Sequence, residues 1–180
     1  MVKSTALLPI QFIGLRNQTL FCTQVLASSC DVYIRKSENF RTQILPAYMK
    51  LLFEIERFSV QAWIKDTEWE GLSKEEPCFV AKASLCKLTG SLTSKFLLPH
   101  FMPLIAEGIQ SSNWAAIYSS IEAIGALTKD SSDSFMNELD QLMSLVLPGL
   151  EHADIRIVFA TFTTIEILAS EYAVILKSLF

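Results

Sequence analysis

The sequence is poor in charge and in chain-breaking residues. Of its 180 residues 19% are charged, and the net charge at pH 7 is −4. There is no clustered basic face on which a phosphate backbone would release its counter-ions, and nucleic acid is excluded as a partner on that ground. Six Gly and six Pro are too few for a fold of many short strands, which needs turn residues roughly every 8–12 positions. Long hydrophobic runs are missing too. The longest apolar stretches, Phe96 to Ala106 and Leu142 to Leu150, contain proline and fall short of the roughly 20 residues that cross a bilayer. No membrane segment is expected. The opening MVKSTALLPIQFIG carries Pro9 inside its apolar run, with no small-residue cleavage site after it, which argues against a secretory signal.

Chemistry-bearing patterns are equally scarce. The four cysteines, Cys22, Cys30, Cys78 and Cys86, form no C-x-x-C pair, and His100 and His152 lie 52 positions apart without a Cys or carboxylate at ligand spacing. The cysteines read as reduced thiols packed among apolar residues of an intracellular chain, and the histidines as surface or turn residues; no metal or cofactor is expected. There is no G-x-S-x-G, no glycine-rich phosphate loop, no H-E-x-x-H and no Cys with a matching His base. The chain is not read as an enzyme.

What is abundant is apolar surface, 51% of residues with a mean hydropathy of +0.34, and it is periodic. Offset by 41 residues, the last two fifths of the chain match themselves: Leu98 falls on Leu139, Met102 on Met143, Gly108 on Gly149, Tyr118 on Phe159, Ile124 on Ile165 and Leu127 on Leu168. Each copy has two apolar-periodic blocks joined by a short turn, Ser111 to Trp114 in one and His152 to Ile155 in the other. The blocks read as helical hairpins. Asn113 and Asp154 stand just before the second helices, where a short side-chain oxygen caps the first turn. The motif Ile44-Leu45-Pro46 answers Leu97-Leu98-Pro99 at a separation of 53 rather than 41, so a loop is inserted, with its place at 59–76. The expected hairpins span 1–32 (partial), 40–94 with that loop, 96–130 and 135–171. A second helix is expected at 17–29, a polar connector at 35–39, and the start of a further helix at 172–180. The fold class is an all-α solenoid of about three to four HEAT-type hairpins. Its two ends present faces meant for neighbours, as a segment of a longer solenoid would, and self-association is expected.

The run LRNQTLFCTQVLASSCDVYIRKSENF followed by ILPAYMKLLFEIE, the tryptophans Trp63 and Trp69 in a broken-up loop, the stretch SSNWAAIYSSIEAIGAL and the stretch LEHADIRIVFATFTTIEILASEYA resemble, in that order, features of the β-karyopherins, the nuclear import receptors. The resemblance covers nearly the whole chain. It implies a non-enzymatic receptor segment of cytoplasm and nucleus. Cargo proteins with nuclear localisation signals would bind on the concave wall of second helices, and release would depend on the GTPase Ran, which this segment alone would bind weakly or not at all. Residues implied for cargo are Glu122, Thr163, Glu166 and Cys86; those implied for a loop contact to Ran or cargo are Trp63, Asp66, Glu68, Trp69 and Glu70. Trp114 reads as packing between repeats. Departures accompany the likeness. The Asp–Arg ladder common to HEAT repeats would fall on Ser111 with Ile117 and on His152 with Val158, so both rungs are missing, and positions acidic in the family are Lys82, Cys86 and Lys129 here. The alternatives are a HEAT scaffold of another class, such as a phosphatase or cytoskeletal adaptor, and a degenerate importin paralogue that no longer transports cargo.

Overall fold

The computed structural model describes residues 9–57, 59–61, 76–129 and 138–178, and all regular structure among them is helical. Eight α-helices occur among the described residues: α1 (Ile13–Ser29), α2 (Asp31–Lys36), α3 (Leu45–Phe53), α4 (Pro77–Leu92), α5 (Ser94–Ile109), α6 (Trp114–Thr128), α7 (Leu139–Val146) and α8 (Ile155–Ser178).

Local sequence accounts for several helix starts. Pro77 occupies the first position of α4, where a missing N–H is harmless. Pro46 lies in the first turn of α3, and the backbone widens into a π-helical turn at Phe40–Ile44 before it, which relieves the clash of the ring with the carbonyl four residues back. Asn113 Oδ1 accepts a hydrogen bond from the Ala115 N–H at 2.9 Å, and Asp154 Oδ1 accepts one from the Arg156 N–H at 3.0 Å, so both residues cap their helices. Only Thr93 separates α4 from α5, and it makes the corner with φ at 67°, a region that glycine occupies far more readily. The Ser94 hydroxyl pins this corner by donating to the Leu127 carbonyl at 2.7 Å.

Three boundaries correct the sequence reading. α1 starts at Ile13 rather than at 17. Arg35 and Lys36 close the short helix α2 instead of opening a polar connector; Asp31 in its first turn and the two cations in its last complement the helix dipole. The final helix runs unbroken from Ile155 to Ser178, so residues 172–178 continue α8 rather than starting a new helix. The inserted loop at 59–76 lies mostly outside the described residues. Of its start, Val60 and Gln61 are helical, and Val60 shares a hollow with Trp114, His152 and Asp154.

Helices α1, α4, α6 and α8 pack in that order, each on the next. On one side of this row α3 lies against α4 and α6, and α5 lies against α6 and α3. The core between them is built from Tyr48, Leu51, Leu88, Phe101, Ile124 and Leu127, all fully buried. The 41-residue match has a counterpart in space. A Cβ at Gly108 would lie 2.1 Å from Ser120 Oγ, and one at Gly149 would lie 2.2 Å from Thr161 Oγ1. In both copies a glycine admits a second-helix hydroxyl at the same repeat position. Hydroxyls also tie the row together, Thr89 Oγ1 donating to the Ala126 carbonyl at 3.2 Å and Thr164 Oγ1 to the Ile121 carbonyl at 3.1 Å.

The outer members of the row are unlike its interior. Leu15, Phe21, Val25 and Leu26 are exposed along α1, as are Ile155, Phe159 and Phe162 along α8. Cys22 and Cys30 are exposed as well, which corrects their expected packing; Cys78 is buried and Cys86 half-buried.

Candidate functional site

The N-terminal halves of three neighbouring helices in the row enclose a groove of about 170 Å³. Helix α4 contributes Cys78, Phe79 and Lys82, α6 contributes Tyr118, Ser119 and Glu122, and α8 contributes Phe159 and Thr163; Leu52 and Ile55, at and just beyond the end of α3, close the remaining side. Glu122 and Thr163 are 41 residues apart, the offset of the sequence match, and Lys82 stands 40 before Glu122.

Its electrostatics centre on one pair. Lys82 Nζ makes an ion pair with the Glu122 carboxylate, and the two side chains are 33% and 5% exposed. A carboxylate this deep needs a partner, because burying an uncompensated charge costs several kcal/mol. The resemblance implies Glu122 for cargo on the wall of second helices. The structure places it in the seam between α4 and α6, where the cation of the neighbouring helix neutralises it. Burial pushes the Tyr118 phenol well above its ordinary range, and the nearby Glu122 charge pushes the same way.

The other expected residues divide. Thr163 lies in the groove, half-buried, with its hydroxyl donating to the Phe159 carbonyl at 3.1 Å. Glu166 is exposed on the outer side of α8, on the stripe that carries Phe159 and Phe162. Cys86, one turn beyond Lys82, is half-buried against the hydrophobic core and does not line the groove. Trp63, Asp66, Glu68, Trp69 and Glu70 lie outside the described residues. Sequence reasoning missed Phe79, Tyr118 and Phe159 as groove walls; the repeat offset, which sets Tyr118 against Phe159, was the signal available.

Neighbouring turns meet through a different device from the ladder. Arg156 donates two hydrogen bonds to the Asp154 carboxylate, at 2.9 and 2.6 Å, and its guanidinium lies 3.3 Å from the centre of the Trp114 ring. Trp114 therefore packs between the two turns, as its sequence position suggested, and a cation–π contact stands where charge pairs were expected. Hydrogen bonding from the Arg156 side chain holds the Asp154 carboxyl below its usual range. His152 belongs to the same turn, its Nδ1 accepting from the Asp154 N–H at 2.9 Å.

Between α3 and α5 a second and wider groove of about 510 Å³ is walled by Pro46, Met49, Phe53 and Leu104 over Gly108 and Ser120. Among the described residues no three or more His, Cys, Asp and Glu side chains converge as a metal site would require, and no helix is long and apolar enough to cross a membrane. No family model matches the chain.

Proposed function

We propose that the chain is a HEAT-type solenoid segment of the nuclear import receptor kind, a non-enzymatic surface that binds cargo proteins on the wall formed by α4, α6 and α8 and releases them in a Ran-dependent manner within the cytoplasm and nucleus. The observation that carries the reading is the order of packing: α1, α4, α6 and α8 stack in chain sequence with α3 and α5 on one side, which is how hairpins that bury their faces only against neighbours must assemble. The repeated glycine–hydroxyl contact at Gly108 and Gly149 supports the same equivalence. A degenerate paralogue that no longer transports basic cargo is the second reading, favoured by the neutralisation of Glu122 by Lys82.

The test is a chimera in which this whole chain replaces the corresponding repeats of an import receptor. Cargo should load and should leave on addition of Ran-GTP but not Ran-GDP. Cargo that loads and stays would refute the transport reading. Failure to load, with the chimera folded, would favour the degenerate paralogue, and capture of tubulin or of a phosphatase catalytic subunit would favour a scaffold of another class.

A further inference from the structure

We infer that the edge where α2 and the π-helical turn at Phe40–Ile44 meet the first turns of α5 is an anion-binding surface, and that it receives a short acidic segment of a partner protein. Four cations gather there. Arg35 and Lys36 close α2, Arg41 stands in the π-helical turn beside the buried Phe40, and Lys95 lies in the first turn of α5. Arg35 and Lys95 are 60 positions apart in the chain, and only the fold brings them to one edge. An aromatic bridge joins the two elements. The Arg35 guanidinium lies 5.3 Å from the centre of the Phe96 ring, and that ring meets His100 edge-on with centres 5.2 Å apart. Because α5 begins where α4 ends, the surface lies at the end of α4 remote from the groove, and the inference does not depend on the transport reading.

The balance of charge selects the occupant. Two carboxylates share the edge, Asp31 and Glu38. Asp31 pairs with Arg35 at 3.7 Å with both side chains well exposed, a contact that contributes little. Lys36, Arg41 and Lys95 make no ion pair among the described residues. The edge is therefore a cationic island on a chain of net charge −4. Its positive potential reaches the half-buried His100, whose imidazole is held below its ordinary range by desolvation and then by the Arg41 charge. Arg41 offers a planar fork that fits a carboxylate. A long phosphate backbone needs a basic face along its length and would be opposed by the rest of the chain, whereas a few Asp or Glu residues of a partner meet the island alone.

Hexaglutamate titrated into the full chain at about 10 mM salt, with the histidine ring signals followed by NMR, tests this. His100 should shift, and with the peptide bound it should titrate at higher pH, because a nearby carboxylate favours the imidazolium. His152, in the turn before α8, should stay unmoved. Raising the salt to about 100 mM shortens the screening length from about 30 to about 10 Å and should weaken binding about ten-fold. Arg41→Gln should weaken it at least about five-fold, and Lys50→Gln, the same loss of charge near the end of α3, less than about two-fold. Should Arg41→Gln fold poorly, the exposed pair Lys36→Gln with Lys95→Gln should give the same five-fold loss on an intact fold. Equal losses in Arg41→Gln and Lys50→Gln would overturn the inference, as would absent binding or binding that leaves His100 unmoved. Tighter binding of a short oligothymidylate, or of phosphatidylserine vesicles, than of hexaglutamate would give the surface to nucleic acid or to a membrane and overturn the assignment to a protein.

Discussion

Helix α6 and helix α1 are both members of the packed row, yet they are built on opposite plans. Every residue of α6 from Tyr118 to Thr128 is buried, and it accommodates neighbours on several sides with Ala115, Ser119, Ser120, Ala123, Gly125 and Ala126. In α1 the buried residues are Arg16, Thr19, Leu20, Thr23 and Ala27, which share one face, and the opposite face leaves Leu15, Phe21, Val25 and Leu26 exposed. The difference teaches that position in the row, more than composition, decides what a side chain does. The face that a second neighbour would cover is core in α6 and uncovered in α1.

Core truncation should separate the two helices most strongly. Leu127→Ala in α6 is expected to cost about 3 kcal/mol in urea unfolding, through lost burial and the cavity left behind, whereas Leu15→Ala in α1 should shift stability by less than about 0.5 kcal/mol. Similar losses at the two sites would mean that α1 is covered in solution and the contrast is false.

Breaking the seam beside α6 comes next. Lys82→Met leaves Glu122 buried without its counter-charge and should destabilise by about 2 kcal/mol, below the full range for a buried pair because Lys82 is one-third exposed. Adding Glu122→Gln should recover most of the loss, read as the midpoint of thermal unfolding. A double variant no better than the single one would show that the pair is not what holds the carboxylate there.

The corner between α4 and α5 offers a gain instead of a loss. Thr93 is β-branched and stands at φ 67° with ψ 148°, so Thr93→Gly should stabilise by about 1 kcal/mol; calorimetry showing a loss would mean that the threonine side chain compensates for its backbone.

The smallest effect belongs to the turn that leads into α8. Asp154→Asn keeps a capping oxygen but removes the charge that pairs with Arg156, and is expected to cost under about 1 kcal/mol at neutral pH. The Asp154 carboxyl is held below its ordinary range by the Arg156 hydrogen bond. Its contribution is therefore present above the usual carboxylate range, near pH 4, and is lost as pH falls through the lowered native value. Parent and variant should converge in acid, and a gap that widens there would contradict the pairing.

Much of this contrast can be read from the chain. The spacing of Ile121, Ile124 and Leu127 forecasts a core stripe because each must face the neighbours of α6, and the caps at Asn113 and Asp154 follow from their own backbone geometry. The ion-pair partner of Glu122 escaped for a physical reason. Helical periodicity reports which face a residue is on, but not that a lysine 40 residues earlier reaches it across a helix seam. The Arg156–Trp114 contact escaped in the same way, since Trp114 and Arg156 are not equivalent in the repeat and meet only when two turns are brought side by side. The aromatic walls Phe79 and Phe159 were hidden because a phenylalanine at helical spacing reads as core until its solvent exposure is seen.

The hydroxyl bonds of Thr89, Ser94 and Thr164 to backbone carbonyls of α6 have a consequence for motion. Carbonyls of the same helix, at Ile121, Ala126 and Leu127, are gripped from three different helices, so bending α6 or sliding a neighbour along it must stretch bonds on more than one side at once. Amide protons along α6 should be the last to exchange with deuterated solvent, while those of α1, held from one side only, exchange through fluctuations that leave α6 undisturbed. Flexing of the row is thereby displaced to its ends, and the groove, built around the stiffest member, keeps its shape while the periphery moves.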